Sequence, residues 1–273
     1  MTNLKLDRIT TFDFVEDPIL SNTGSFCLTY NKEVYIWETF SGRLINILLG
    51  HDKMIKDISI SENDQYIATY CVEKKLKIWK VQYGELIYSC YNEDTKHGFF
   101  RNNYAYSYTP EKTKISFFNF KCGAGFEVNM NNPIHDLVIH NNKILINSIQ
   151  NISLIDLNSH NTILDIDNDT ILSLSVWLSN DYLYKKYENK IYFYDILNGE
   201  VIYEYDTKNA ERCIIKILKN YIFIARKEIL KIIDIKQKKE LEELEYKSII
   251  LDMVVNTKLY IMLYDNIHIY DLK

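Results

Sequence analysis

The stretch Gly50–Trp79, GHDKMIKDISISENDQYIATYCVEKKLKIW, contains the clearest pattern in this chain of 273 residues. After an opening Gly-His pair it has three runs in which apolar and polar residues alternate, separated by short polar clusters. The runs are Ile55–Ile60, Tyr66–Tyr70 and Leu76–Trp79. Alternation with a period of two is typical of half-buried strands, and polar clusters are typical of the turns that join them. The stretch therefore predicts three successive strands.

A similar unit recurs along the whole chain. Each copy ends its third run with an aromatic or aliphatic residue, and these residues lie 37 to 42 positions apart. The positions are Trp37, Trp79, Phe118, Ile155, Tyr194, Ile233 and Tyr270. Several units then have a glycine, as at Gly42, Gly84 and Gly199, where it suits a left-handed turn into a fourth strand. We therefore expect seven units of four strands, about forty residues each.

The Gly50-His51 opening and the Trp79 ending resemble the WD-repeat family, whose unit begins with Gly-His and ends near Trp-Asp. The resemblance covers the whole chain and is strongest in residues 20–92. It implies an all-β fold, a seven-bladed β-propeller of four-stranded antiparallel blades, and a single domain over residues 1–273. The seventh unit stops just after Asp271 without a fourth strand. We expect an N-terminal strand around Leu4–Leu6 to complete and close the last blade.

Composition and charge limit the possible classes of function. The formal net charge of −5 argues against a nucleic-acid-binding protein, although a local basic strip is present. The strip consists of Lys216, Lys219, Arg226, Lys227 and Lys231. Scattered cysteines without a Cys-x-x-Cys motif favour reduced thiols, so we expect a cytoplasmic protein, with the nucleus as an alternative. The N-terminus does not resemble a signal peptide, and no apolar run approaches the roughly 18 residues of a membrane helix, so no membrane partner is expected.

The resemblance assigns a structural role to four residues of the best-defined unit. In WD repeats a His, a Ser or Thr, an Asp and the Trp form a buried hydrogen-bond relay, and the matching residues are His51, Thr69, Glu73 and Trp79. Glu73 departs from the pattern, because the family has the shorter Asp there. A Ser-His-Asp catalytic triad is the alternative, but no Gly-x-Ser-x-Gly motif accompanies these residues. We therefore expect a network that satisfies buried polar groups.

One group of residues suggests a binding surface. Tyrosines lie in or beside five of the seven turns between second and third strands, and an arginine lies in a sixth. They are Tyr30, Tyr70, Tyr108, Tyr187, Tyr264 and Arg226. Tyr and Arg are common interface anchors, because they combine a large contact area with a polar tip. The group predicts a face that binds a peptide or a partner domain; alternatively, tyrosine is simply abundant and some of these rings pack inward.

The sequence gives no sign of a cofactor or a metal site. The six histidines are scattered, and no carboxylate or cysteine cluster with metal-ligand spacing accompanies them. We therefore predict a non-catalytic scaffold that binds other proteins or peptides as a subunit of a larger hetero-complex. A nucleic-acid-associated propeller in ribosome assembly or translation, and a propeller enzyme, are the alternatives.

Overall fold

The structure, a computed structural model, describes residues 4–11, 18–100, 103–140, 143–148, 150–157, 159, 161–167, 173–178, 182–187, 189–207 and 213–272. These residues form 28 strands. They are β1 (Lys5–Thr11), β2 (Ile19–Leu20), β3 (Phe26–Tyr30), β4 (Val34–Glu38), β5 (Leu44–Leu48), β6 (Ile55–Ile60), β7 (Tyr66–Cys71), β8 (Lys75–Lys80), β9 (Glu85–Tyr91), β10 (Lys96–Phe100), β11 (Tyr104–Tyr108), β12 (Lys114–Asn119), β13 (Gly125–Asn129), β14 (Ile134–His140), β15 (Lys143–Ser148), β16 (Asn151–Asp156), β17 (Thr162–Asp167), β18 (Ser173–Leu178), β19 (Tyr182–Tyr187), β20 (Lys190–Asp195), β21 (Val201–Asp206), β22 (Ile214–Leu218), β23 (Tyr221–Arg226), β24 (Ile229–Asp234), β25 (Lys239–Glu245), β26 (Asp252–Val255), β27 (Lys258–Met262) and β28 (Asn266–Asp271).

The strands pair into seven four-stranded antiparallel sheets, which confirms the predicted fold class, a seven-bladed β-propeller. Blades 1 to 6 are the sheets β2–β5, β6–β9, β10–β13, β14–β17, β18–β21 and β22–β25, and blade 7 has the order β1-β28-β27-β26. The chain divides into two compact units. Unit 1 (Met1–Cys90 and Glu211–Lys273) contains blades 6, 7, 1 and 2, and unit 2 (Tyr91–Ala210) contains blades 3, 4 and 5. The single domain expected over residues 1–273 stays a prediction.

The N-terminal strand completes blade 7, as the sequence predicts. Strand β1 pairs antiparallel with β28 from Lys5, opposite Asp271, to Thr11, opposite Asn266. It is longer than the expected Leu4–Leu6 segment, and its residues KLDRITT are almost all exposed. An exposed outer strand buries no regular stripe of side chains, so its extent leaves little periodic signal in the sequence.

Hydrogen bonds between neighbouring sheets of unit 1 show which strand ends lie together. The Ile55 amide donates to the Asn31 carbonyl at 2.7 Å, which joins the start of blade 2 to the β3–β4 turn of blade 1. The Ile250 amide donates to the Lys227 carbonyl at 2.8 Å, which joins the start of blade 7 to the β23–β24 turn of blade 6. At the opposite end, the Asn256 side chain donates to the Thr23 carbonyl at 2.8 Å and links the first turns of blades 7 and 1. The turns between second and third strands of all four blades therefore lie at one end of unit 1, which we call the upper end.

The turns between third and fourth strands need a left-handed residue. The prediction of glycine in this role is confirmed, because Gly42, Gly84 and Gly199 have φ of 72°, 64° and 70°. In blade 6 the same place is taken by Lys238, with φ of 51°. A Cβ on Gly84 would also lie 2.8 Å from the Asn46 side chain of the neighbouring blade. Glycine at that turn thus serves both the backbone conformation and the close approach of blade 1.

Unit 2 is held by apolar packing between neighbouring sheets. One cluster joins Phe117 of blade 3 to Ile134 and Ile146 of blade 4, and a second joins Leu154 of blade 4 to Leu183 of blade 5. All these side chains are at most 2% exposed. Blades whose third strand does not end in tryptophan are thus stabilised by aliphatic and aromatic contacts.

Candidate functional site

Three of the four relay residues meet in the interior of blade 2. The Nε2 atom of His51 lies 2.7 Å from the Thr69 hydroxyl oxygen, and the Trp79 indole N–H donates to that same oxygen at 2.8 Å. Thr69 is fully buried, and His51 and Trp79 are 4% and 3% exposed. A single threonine hydroxyl therefore joins the start of the blade to its second and third strands.

Glu73 does not join this network, which corrects the expectation for that residue. Its carboxylate pairs with Lys75 at 3.2 Å on the surface, and its side chain is 37% exposed. The Nδ1 atom of His51 is buried and has no hydrogen-bond partner among the described residues. The longer side chain of Glu73 thus reaches a solvent-exposed lysine, and His51 lacks the acceptor that an aspartate supplies in the family pattern.

The environment of His51 favours its neutral form. Burial, followed by the nearby positive charge of Lys77, lowers the pKa of His51 from 6.5 to about 4. Lys77 is held close because its ammonium donates to the Gly50 carbonyl at 2.6 Å. A substrate could not reach the hydroxyl of Thr69, so the geometry argues against the catalytic-triad alternative and fits a structural network.

Blade 1 contains a shorter version of the same network. The Trp37 indole N–H donates to the Thr29 hydroxyl at 3.1 Å, and no histidine is involved. Thr29 precedes Trp37 by eight residues, much as Thr69 precedes Trp79 by ten. In blade 1 this Thr–Trp spacing is the sequence signal for the hydrogen bond. A pattern that begins with a Gly-His pair does not detect it.

The predicted tyrosine face divides into buried and exposed residues. Tyr70 and Tyr108 are each 4% exposed, whereas Tyr264 is 56% exposed. The Tyr108 hydroxyl lies 3.5 Å from the Asp136 carboxylate, in the apolar cluster between blades 3 and 4. The alternative that some of these rings pack inward therefore holds for Tyr70 and Tyr108.

The remaining members of this set lie at the ends of second strands. Tyr30 and Arg226 are the last residues of β3 and β23, and both are half-buried in unit 1. Tyr187 ends β19 and is opposite Lys190 in the sheet, but its side chain lies outside the described part of the structure. Within unit 1, the upper end thus carries Tyr30, Arg226 and Tyr264, and Tyr264 is the most exposed of the three.

The upper end of unit 1 also exposes aliphatic side chains that the sequence reasoning missed. Met54 and Ile249 are 56% and 51% exposed, and Val72 in the β7–β8 turn is 42% exposed. The Val72 amide donates to the Met54 carbonyl at 3.1 Å, so these two residues are neighbours. No motif marks such residues, because an exposed apolar side chain in a turn interrupts the strand periodicity instead of following it.

Charged side chains surround these apolar residues. Both basic and acidic side chains are present among the described residues of these turns. The basic residues are Lys32, Lys53, Lys74, Lys75, Arg226, Lys227 and Lys247, and the acidic residues are Glu33, Asp52, Glu73, Glu228 and Asp265. Asp52 and Glu73 both pair with Lys75, at 3.4 Å and 3.2 Å.

The basic strip considered for nucleic acid does not form one surface. Lys219 lies in the β22–β23 turn at the lower end of blade 6, whereas Lys227 lies in the β23–β24 turn at the upper end. Lys231 pairs with Glu240 and Glu243 of β25 at 2.9 Å and 2.6 Å, and hydrogen bonds to these two carboxylates raise its pKa. Its charge is thus largely compensated within the protein.

A shallow pocket of about 330 Å³ lies at the lower end of blade 2, lined by Asp64, Gln65, Tyr66, Lys80, Val81 and Gln82. The Asp64 carboxylate there already accepts hydrogen bonds from Thr23 at 2.6 Å and 2.8 Å, so it holds the neighbouring blade. Within the described ranges no three histidine, cysteine or acidic side chains cluster as metal ligands. In the same ranges no helix has the length and apolar character to cross a membrane.

Comparison with known proteins supports the fold and gives little about function. No family model matches the chain. A segment of 75 residues is 28% identical to NACHT and WD repeat domain-containing protein 2 of Mus musculus and of Homo sapiens, which is 27% of this chain and 4% of each relative. The chain thus matches only a small part of these much longer proteins.

Two solved structures share the architecture over nearly the whole chain. The Cps50 (Swd1) β-propeller domain of Myceliophteria thermophila superimposes with a TM-score of 0.72, at 11% identity over 99% of this chain and 100% of that domain. The computationally designed protein Ika8 superimposes with a TM-score of 0.69, at 10% identity over 96% of this chain and 99% of that protein. The architecture expected from the sequence is confirmed: the chain folds as a seven-bladed β-propeller.

Proposed function

We propose that this propeller is a non-catalytic scaffold that binds other proteins as a subunit of a larger complex, through the upper end of unit 1. The observation that carries the proposal is the exposure of Met54, Val72, Ile249 and Tyr264 at this end, between 42% and 56%. Large apolar side chains left in water among charged residues are typical of interaction sites.

The backbone beneath these side chains is well fixed. Met54 and Ile249 each precede an isoleucine whose amide is bound by the turn of the neighbouring blade. A partner that covers them would therefore immobilise side chains without ordering a loop, which keeps the entropic cost of binding low. The relay in blade 2 has a supporting role here, because it fixes the segment that leads to Met54.

The inward packing of His51, Thr69 and Trp79 supports the non-catalytic part of the proposal. Their polar atoms serve one another inside the sheet and present no reactive group at the surface. For location we propose the cytoplasm or the nucleus, because the five cysteines form no disulfide bond, although Cys122 is exposed.

Affinity purification from the native organism tests the proposal. Wild-type protein is compared with the double variant Met54→Ser, Ile249→Ser and with the control Leu86→Ser, whose side chain is 43% exposed on the outer strand β9. We expect specific proteins to co-purify with the wild type and the control and to be lost from the double variant. Equal recovery with all three, each shown by circular dichroism to be folded, would contradict the proposed surface.

A further inference from the structure

We propose that Asn198, in the turn between β20 and β21, is a site of spontaneous deamidation, and that opening of this turn sets the rate of the reaction. The inference goes beyond the proposed function, because it concerns blade 5 of unit 2 and needs no partner protein. Asn198 is the one asparagine of the sequence that is followed directly by glycine. A following glycine favours deamidation, because it has no side chain to shield its amide nitrogen from the asparagine carboxamide.

The reaction needs only water as a co-reactant. The Gly199 nitrogen attacks Cγ of Asn198, so that a new C–N bond forms and the bond from Cγ to Nδ2 breaks. The amide proton of Gly199 leaves with the departing nitrogen, so ammonia is released and a cyclic succinimide remains. Water then opens either carbonyl of this ring and leaves aspartate or isoaspartate at position 198. Isoaspartate carries the main chain through the former side chain and lengthens it by one methylene group.

The closed turn engages both reacting groups in hydrogen bonds. The Gly199 amide donates to the Asp195 carbonyl at 2.9 Å. The Asn198 carboxamide accepts from the Glu200 amide at 3.0 Å and donates to the Glu200 carboxylate at 3.1 Å. The attack requires a free Gly199 nitrogen and a carboxamide that can turn towards it, so these bonds must break first. The reaction therefore proceeds from an open form of the turn, and the free energy of local opening sets its rate.

Solvent reaches this turn readily. Leu197 is 93% exposed, and Asn198 and Glu200 are exposed as well. Local opening of an exposed turn costs much less free energy than unfolding of the whole domain. The open form is therefore accessible under conditions in which the rest of the blade stays folded.

Isoaspartate at position 198 prevents the turn from closing as before. The extra methylene group lies between the two bonds that close the hairpin, from the Gly199 amide to the Asp195 carbonyl and from the Asp195 amide to the Glu200 carbonyl at 3.0 Å. Either product also places a carboxylate where the Asn198 amide donates to the Glu200 carboxylate. Two like charges then replace a hydrogen bond, which favours the open turn.

The effect extends to the neighbouring blade of the same unit. A Cβ on Gly199 would lie 2.8 Å from Cδ1 of Leu164, so the backbone of the turn packs closely against blade 4. Leu164 in turn packs against the cluster that joins Leu154 of blade 4 to Leu183 of blade 5. A displaced turn therefore disturbs the apolar packing between these blades, and the isoaspartate form should melt at a lower temperature than the unmodified protein.

Peptide mapping by mass spectrometry tests the proposal on the full chain, incubated in mildly alkaline buffer. The reference is a free peptide with the sequence of Asp195–Val201, DILNGEV, which is too short to form the hairpin. We expect Asn198 to convert at one rate in the peptide and in the urea-unfolded chain, and at least about tenfold more slowly in the folded protein. Asn147, which is followed by serine and is 1% exposed in β15, should stay intact in the folded protein.

Two alanine variants test the role of the hydrogen bonds. Glu200→Ala removes the acceptor of the Asn198 amide and should raise the rate in the folded protein about fivefold, as expected for the loss of one exposed hydrogen bond. Glu204→Ala is the matched control, because Glu204 lies on the same strand and pairs with Lys190 at 3.0 Å. It should convert at the wild-type rate, and circular dichroism shows whether both variants are folded.

Each part of the proposal has an outcome that overturns it. Equal rates in the folded protein and in the peptide, or equal rates for the two alanine variants, would contradict control by the turn. Faster conversion of another asparagine in the folded protein, or an Asn198 that stays intact in the peptide, would refute the assignment of the site. An isoaspartate form, isolated by ion exchange, that melts at the wild-type temperature would contradict the effect on the hairpin.

Discussion

Acidification should destabilise this protein through a single buried histidine. His51 keeps its neutral form in the fold, because burial and Lys77 lower its pKa to about 4, against 6.5 for a solvated histidine. In the unfolded chain the same side chain takes up a proton near pH 6.5. Between these two values the unfolded state binds more protons than the folded state, so stability falls as the pH falls.

The size of the effect follows from the two pKa values. Above about pH 7 both states carry a neutral His51 and nothing is lost. Lowering the pH from about 7 to about 5 should cost about 2 kcal/mol of unfolding free energy, and the loss should be complete below about pH 4. The cost has a physical cause, because an imidazolium carries an N–H on both ring nitrogens and Nδ1 of His51 has no acceptor among the described residues.

Urea unfolding at several pH values measures this loss, with His51→Gln as the comparison. The variant loses the titrating group but keeps an amide that can bond to Thr69. Over the same pH interval its unfolding free energy should therefore decrease by about 2 kcal/mol less than that of the wild type. An NMR titration of the His51 ring gives an independent reading in the folded wild type. A wild type and a variant with equal pH dependence, or a ring that titrates near pH 6.5, would refute the reasoning.

Three further predictions concern the same unit. Thr69→Val leaves both His51 and Trp79 unpaired and should cost about 2 to 4 kcal/mol in urea unfolding, whereas Thr29→Val orphans only one indole and should cost about half as much; equal losses would contradict the shared-hydroxyl geometry. Glu73→Asp places a shorter carboxylate at the family position, and NMR should show a higher pKa for His51; an unchanged pKa would mean that the carboxylate still bonds elsewhere. Deletion of residues 1–7 removes part of the strand that closes blade 7 and should lower the melting temperature. An unchanged melting temperature would contradict the stabilising role of this strand.

The fold was predictable because the same order of strands and turns recurs in every blade. Each blade repeats runs of partly or fully buried strand residues separated by polar turns at regular intervals, so the unit ending at Trp79 is recognisable again at Ile155 and Tyr270. The least predictable strand was β1, since an exposed outer strand carries no such constraint.

The tyrosine face was harder to predict for a physical reason. A tyrosine at the end of a second strand can turn its ring into the sheet interface or out to solvent, and its amphipathic side chain satisfies both environments. Tyr108, the last residue of β11, is 4% exposed, whereas Tyr264, two residues beyond the end of β27, is 56% exposed. Tyr108 lies in an apolar cluster with Ile134 of blade 4, a contact that the sequence around Tyr108 does not reveal.

The residues with the strongest motif are thus the least able to contact a partner. His51, Thr69 and Trp79 are recognisable because a buried network tolerates few residue types at fixed spacing. Met54 and Ile249 have no such signature, since their contribution depends only on being large, apolar and exposed on a fixed backbone. The designed propeller that shares this architecture makes the same point, because a sequence only 10% identical produces the fold. The scaffold function proposed for this protein therefore places its specificity in the turns at the ends of the blades and not in the repeat motif.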